Sequence, residues 1–133
     1  MSVDGLTSVA SGFSPQETLD RLEAQIKAKG LTVFARVDHA AGAAAVGLAL
    51  RPTEVVLFGN ARGGTPLMQD KQTAGIDLPL KCLVWQDEAG RTWLSYNEPA
   101  WIARRHGLDA ASDAPRSAMT GLLAALAKAA TSG

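Results

Sequence analysis

A predicted β-hairpin in the second half of the chain places the strongest constraint on the fold. Residues 80–87 and 91–97 are rich in β-branched and aromatic side chains, and the tripeptide Glu88-Ala89-Gly90 separates them. A short connection that ends in glycine is typical of a hairpin, because glycine readily adopts the positive φ that such loops need. Two antiparallel strands are therefore expected to lie side by side, and the remaining chain has to cover them.

Three other segments have the character of strands. Residues 54–60 carry apolar side chains on both faces, which is typical of a central strand. Residues 6–11 are predicted to form a short edge strand. Residues 32–38 are rich in β-branched and aromatic side chains and are predicted to form a strand. Three apolar side chains are expected on one face of it: Val33, Ala35 and Val37.

Helices are predicted before, between and after these strands. The first has a buried stripe formed by Leu19, Leu22 and Ile26, and it ends at Gly30. A short helix is expected within residues 40–50, and a last helix at about residues 115–130. Residues that cap or begin helices precede several of these segments. The predicted helix starts are Ser14, Asp38, Thr65-Pro66 and Asn97 or Glu98.

Length and composition fit one hydrophobic core. The chain has 133 residues, of which 47% are hydrophobic and 20% charged, so a single domain spanning residues 1–133 is predicted. The order of the elements predicts an α+β fold. Its sheet is expected to be small, mixed or antiparallel, with about four to five strands and helices packed mainly on one face.

Charge and cysteine content limit the classes of partner. Thirteen basic and thirteen acidic residues leave no net charge, so long-range attraction to nucleic acid or anionic lipid is missing. The lone Cys82 fits a reducing compartment, and no His or Cys pair has zinc spacing. Residues 1–12 lack the pattern of a secretion signal, and no apolar run is long enough for a membrane span. We therefore predict a cytoplasmic protein with no metal, cofactor, nucleic-acid partner or membrane partner.

Four short motifs carry a family resemblance: Asp38-His39-Ala40, Phe58-Gly59-Asn60, residues 64–68 and residues 77–80. Residues 34–108, which contain them, resemble the domain-of-unknown-function 302 family. With the upstream helix, the family-like core covers residues 14–108 and leaves the last helix outside. Ala61 stands where the family commonly has proline. The resemblance implies a compact α+β fold, a homodimer and a cytoplasmic location, and it transfers no catalytic residue because the family has no agreed activity.

Polar residues near the predicted strand ends suggest a ligand site. If residues 40–50 cross over between parallel strands, His39 and Asn60 lie at the same end of the sheet. A helix that begins at Thr65 would direct free N–H groups outward beside Arg62, and a phosphate or carboxylate would bind there. The segment lacks the lysine of a P-loop, which disfavours nucleotide hydrolysis. The predicted ligand-binding residues are His39, Asn60, Arg62, Gly64, Thr65 and Asp77.

Each of these residues also has a structural interpretation. Thr65 caps its own helix, and Asp77 satisfies backbone groups of a turn. His39 hydrogen-bonds a nearby loop, which we favour over a role as general base with Asp77, Lys81 or Tyr96. A metal held by His39, Asp77 and other distant residues is a further alternative. His106 is expected to be a helix-terminal cation or an exposed side chain, and Cys82 a buried packing thiol.

The tryptophans favour a protein partner. Trp85, Trp93 and Trp101 are expected to be core or interface anchors. A small sheet with two apolar faces either self-associates or has its second face covered by the last helix. We therefore predict a homodimeric, non-catalytic module that binds a small anionic or amphipathic ligand, and we assign no catalytic residue. The alternatives are an enzyme that uses His39, and a purely structural protein-interaction domain.

Overall fold

The frame of the molecule is one antiparallel sheet. The structure is a computed structural model that describes residues 2–133. The sheet has five strands in the order β1-β5-β4-β3-β2, and each neighbouring pair is antiparallel. The strands are β1 (Leu6–Ser11), β2 (Thr32–Asp38), β3 (Thr53–Gly59), β4 (Leu80–Gln86) and β5 (Thr92–Asn97). The predicted α+β class and strand number are thereby confirmed.

Five α-helices connect and cover the strands in the described part of the chain. Short 3-10 helices at Gln72–Asp77 and Ala110–Ser112 precede β4 and the last helix, respectively. The α-helices are α1 (Pro15–Ala28), α2 (His39–Ala45), α3 (Ala61–Asp70), α4 (Pro99–His106) and α5 (Asp113–Thr131).

The predicted hairpin is present as β4 and β5. Gly90 has a φ of 83°, the positive value that the loop was expected to need. The Asp87 carboxylate accepts hydrogen bonds from the Trp93 indole and from the backbone N–H groups of Arg91 and Ala89. These bonds, that of Trp93 foremost, lower the pKa of Asp87 because they favour its charged form. The loop is thus held by its own side chains.

The core lies between one face of the sheet and two helices. The stripe predicted on α1 is buried, with Leu22 and Ile26 fully enclosed. Leu123 and Leu126 of α5 belong to the same buried cluster, so both long helices cover the same face. The last helix therefore does not cover the second face, which was one of the two arrangements expected. The sheet contributes to this core mainly through Val56, Phe58, Leu80, Cys82, Val84 and Leu94.

Strand β2 contains an irregularity that the alternating pattern did not reveal. Its register with β3 shifts between Val33 and Ala35, which is the signature of a β-bulge at Phe34. Val33 packs against the core, whereas Ala35 and Val37 are exposed, so the prediction that these three residues share one face was wrong. The bulge leaves Phe34 largely exposed at this edge of the sheet.

The second face of the sheet remains uncovered by the long helices. We call it the open face and define it by Val55, Leu57, Leu83, Trp85 and Trp93, which alternate along their strands with core residues. All five side chains are partly exposed. Trp85 and Trp93 lie opposite each other, with ring centroids 6.1 Å apart. The open face is therefore an apolar surface accessible to a partner.

Two glycines give a matched test of the helix assignments. Gly121 lies inside α5 facing open space, whereas Gly107 ends α4 with a φ of 65°. We expect Gly121→Ala to raise the free energy of unfolding by about 0.5–1 kcal/mol, because alanine loses less backbone entropy. Gly107→Ala should lower it by about 1 kcal/mol, because alanine is strained at that φ. Urea denaturation measures both, and equal effects would contradict the assignment.

Candidate functional site

The molecule contains an open groove with a volume of about 790 Å³. It lies where the end of β3, helix α3, the start of β4 and the first half of α5 meet. Its volume is within the range of small-molecule sites in proteins. The carbon-rich part of its lining includes Leu31, Phe34, Phe58, Met68, Leu78, Pro79, Met119 and Leu122. We call this cavity the apolar groove.

Helix α3 borders the groove and begins five residues earlier than predicted, at Ala61 and not at Pro66. Its N-cap is Asn60, whose side-chain oxygen accepts a hydrogen bond of 2.7 Å from the N–H of Gly63. Thr65 therefore lies inside the helix and is not its cap, and Pro66 follows within the helix. Ala61 is the first helical residue, the position where proline is favoured, which explains why the family pattern has proline there. Residues 61–64, which precede the predicted helix start, thus form the first turn of the helix.

A glycine in α3 leaves space in the groove because it has no side chain. Gly64 lies on the side of α3 that lines the cavity. A Cβ atom at this position would come within 3.6 Å of Leu78 and 4.0 Å of Met68, which is ordinary van der Waals contact. A larger side chain there would extend from this contact into the cavity. The absence of a side chain at Gly64 therefore helps to leave the groove open.

Polar groups line the groove where α3 begins. Asn60, Arg62 and Thr65 all border the cavity, and together with Gly64 they are four of the six residues predicted to bind a ligand. The structure therefore brings these four together. Arg62 is the only charged residue in the lining, and no acidic side chain faces it there. The groove is thus apolar along most of its wall and positive at one side.

His39 lies away from the groove because β2 and β3 are antiparallel. Parallel strands would place His39 and Asn60 at the same end of the sheet, as expected from the sequence. In the antiparallel pair, His39 after β2 and Asn60 after β3 lie at opposite ends of the sheet. His39 instead borders a second cleft of about 260 Å³, with Lys81 and Tyr96 among its lining. No side chain within residues 2–133 hydrogen-bonds the His39 ring. Burial raises the pKa of Tyr96, so its phenol stays protonated near neutral pH.

Asp77 is buried in an ion cluster outside both cavities, with the half-exposed Arg105 at its surface. Its carboxylate accepts hydrogen bonds of 2.9 and 3.1 Å from Arg105 and lies 2.5 Å from the Nε2 atom of His106. The Nδ1 atom of His106 is 2.9 Å from the Thr73 hydroxyl. These contacts fasten the end of α4 to the 3-10 helix before β4. Asp77 therefore has a structural site here and does not join Asn60 at the groove.

His106 is the polar residue whose environment the sequence analysis missed. It does lie in the last turn of α4, as predicted, but its side chain is only 7% exposed. Its partner Asp77 is 29 residues away along the chain. A histidine just before a helix-ending glycine is a common surface arrangement, and no local pattern indicates the distant carboxylate.

The structure also bears on the role of Cys82 and on the predicted alternative of a metal held by His39 and Asp77. Cys82 is fully buried, as predicted, and burial raises the pKa of its thiol to about 12. A thiol with that pKa is protonated at neutral pH and is a poor nucleophile. His39 and Asp77 lie at separate sites, so they do not form the metal site considered above. No cluster of three His, Cys, Asp or Glu residues suited to a metal occurs in the described part of the chain.

Comparison with solved structures identifies the fold. A crystal structure of an uncharacterized conserved protein DUF302 from Bacillus stearothermophilus superimposes on this chain with a TM-score of 0.84. The superposition covers 96% of this chain and 99% of that chain, at 21% sequence identity. At this level of identity the likeness concerns the fold alone.

Curated relatives share a higher sequence identity over part of their length. Two of them, from Brucella suis and Brucella abortus, are named "Fluoride-specific ion channel FluC 1", and each is 51% identical over 115 residues. The match covers 86% of this chain but 45% and 43% of the two relatives, so the chain spans less than half their length. Across residues 2–133, no helix combines the length and apolar character needed to cross a membrane.

A family model agrees with these comparisons. The model described as "Domain of unknown function DUF302" matches residues 7–126. The match extends beyond residues 14–108 on both sides. It includes all of β1 except Leu6 and most of α5, which the sequence resemblance left outside. Since it covers most of the chain, the protein belongs to the DUF302 family.

Proposed function

We propose that this protein is a homodimeric, non-catalytic module that binds a small amphipathic ligand in the apolar groove. The observation that carries the proposal is the groove itself, a cavity of about 790 Å³ whose wall is mostly carbon and whose polar groups lie at one side. Such a distribution suits a ligand with an apolar body and a polar end.

The composition of the groove favours binding over chemistry. Arg62 is the only residue in its lining that carries a charge, and a guanidinium does not release its proton in proteins. General acid–base catalysis needs a group that exchanges a proton near the working pH. The His39 side chain, which the enzyme alternative requires, borders the other cleft. The Brucella relatives named as fluoride-specific ion channels are more than twice as long as the region that they share with this chain.

Filling the groove tests the binding proposal. Gly64→Leu places a side chain in the cavity, and Ala118→Trp does so from the exposed lining of α5. We expect wild-type protein to bind the amphipathic dye 1-anilinonaphthalene-8-sulfonate, with each variant binding at least tenfold more weakly because the dye and the new side chain compete for space. Fluorescence titration measures the affinity.

The matched control is Gly121→Leu, which adds the same side chain to an exposed helical glycine outside the groove. Its dye affinity should stay within twofold of wild type, and circular dichroism should show that all three variants are folded. Equal affinity in all four proteins, or no binding by wild type, would contradict the groove as the site.

The proposed homodimer uses the open face of the sheet. His39, the first residue of α2, borders the second cleft together with Val55 and Leu83 of this face. The segment that follows α2 exposes Val46, Leu48 and Leu50, with 71%, 67% and 50% of their surfaces accessible. From residue 40 to residue 50 the segment carries no charged side chain. A second copy of the chain is the occupant we propose, because one apolar patch on a chain of zero net charge meets its own copy without repulsion.

Charge introduction tests the dimer. Light scattering should give wild type a mass near twice the 13.9 kDa of one chain. Leu83→Arg should shift the protein to monomer, because a two-fold interface brings the two added charges close together and buries them. Ile76→Arg is the control, since Ile76 is 72% exposed but lies in the 3-10 helix that packs against α3 and α4. A monomeric wild type, or dissociation by both variants, would overturn the proposal.

A further inference from the structure

We infer that the apolar groove selects single-chain alkyl carboxylates, with the carboxylate held by Arg62 and the alkyl chain along the carbon-rich wall. The inference rests on the proposed ligand-binding function and adds the chemical class of the ligand. Four features of the groove support it: a single positive charge, a guanidinium that has no partner within residues 2–133, additional hydrogen-bond donors beside it, and a carbon-rich wall.

Arg62 differs from every other arginine in the described chain. The other seven contact a carboxylate, a backbone carbonyl or an aromatic ring; they are Arg21, Arg36, Arg51, Arg91, Arg104, Arg105 and Arg116. Within residues 2–133, the guanidinium of Arg62 has no ion-pair, hydrogen-bond or aromatic partner. Its five N–H donors are therefore available to a ligand at the groove.

The net charge of the lining points to a monoanion. Arg62 contributes one positive charge, and no Asp or Glu lines the groove to offset it. A carboxylate matches one guanidinium in both charge and shape, because its two oxygens accept two parallel N–H bonds. A phosphate dianion would keep one negative charge unmatched beside an apolar wall. A carboxylate therefore fits this site better than a phosphate.

Neighbouring groups offer further hydrogen-bond donors. The side-chain oxygen of Asn60 is occupied by the N–H of Gly63, which leaves its amide N–H₂ group as a donor. Thr65 adds a hydroxyl at the same part of the lining. Asn60 caps α3 and Thr65 lies in its second turn, so both are close to the N-terminal end of the helix, which is positive. All of these contributions favour a negatively charged head group over a cationic one.

The rest of the lining suits an unbranched alkyl chain. Phe34, Leu78 and Leu122 present carbon surfaces, and Met68 adds a flexible side chain that adapts to different chain lengths. No charged group other than Arg62 interrupts this wall. Burial of each added methylene should tighten binding by about fourfold until the groove is filled. Octanoate, decanoate and dodecanoate should therefore bind with increasing affinity.

Titration calorimetry with three decyl compounds tests the head-group preference. The probes are decanoate, decylammonium and neutral decanol, each below the concentration at which it aggregates. Wild type should bind decanoate at least tenfold more tightly than decylammonium. Arg62→Gln should reduce this preference, because only the donors at the start of α3 then favour the anion, and it should leave decanol affinity unchanged. Arg62→Glu should reverse the preference in favour of decylammonium. Because Arg62 is exposed, both variants should fold.

The control is Arg51→Glu, which changes the charge by the same amount. Arg51 lies just before the start of β3, whereas the groove lies at the end of that strand. This variant should keep the wild-type preference for decanoate, and a reversal in it would mean that total charge and not Arg62 is responsible. If all three probes bind wild type equally, the inferred ligand class is wrong while the groove remains a binding site. If none of the three decyl compounds binds wild type, and Gly64→Leu also has the same dye affinity as wild type, the proposed function fails as well.

Discussion

Packing of α1 and α5 on one face of the sheet is the constraint on which the other features depend. Leu22 and Ile26 of α1 meet Leu123 and Leu126 of α5 over the central strands, where Phe58 is fully buried. Two long helices suffice to cover one face of five short strands, and they leave the other face exposed. The same packing places the start of α5 beside α3, and the space between them is the apolar groove.

The features that the sequence predicts well are those decided by neighbouring residues. The turn at Gly90 and the cap at Ser14 each depend on interactions within four residues, and both are present in the structure. The cap at Asp38 is a similar case, with its carboxylate bound to the N–H of Ala41 at 2.9 Å. Local hydrogen bonding therefore determined these elements, and a reading of the sequence could find them.

The direction of β2 relative to β3 could not be found in this way. The segment from His39 to Pro52 is long enough to carry a crossover between parallel strands, and it contains a short helix. The same segment also permits an antiparallel return, and no residue in it distinguishes the two. The relative direction of β2 and β3 determines whether His39 and Asn60 lie at the same end of the sheet. The cluster of Asp77 with His106 escaped prediction for a related reason, since only the folded chain brings these distant residues together.

The start of α3 shows how a local pattern can mislead near a binding surface. Gly63 and Gly64, which follow Asn60 closely, indicate a loop, and Thr65-Pro66 has the form of a helix start. Yet Leu67 of this helix is fully buried and the helix packs against α5, so tertiary contacts outweigh the low helix propensity of Gly63 and Gly64. Glycine in this helix costs stability, and at Gly64 an alanine would meet no clash. A position that sacrifices stability and leaves a cavity open is where selection for a ligand would be expected to act.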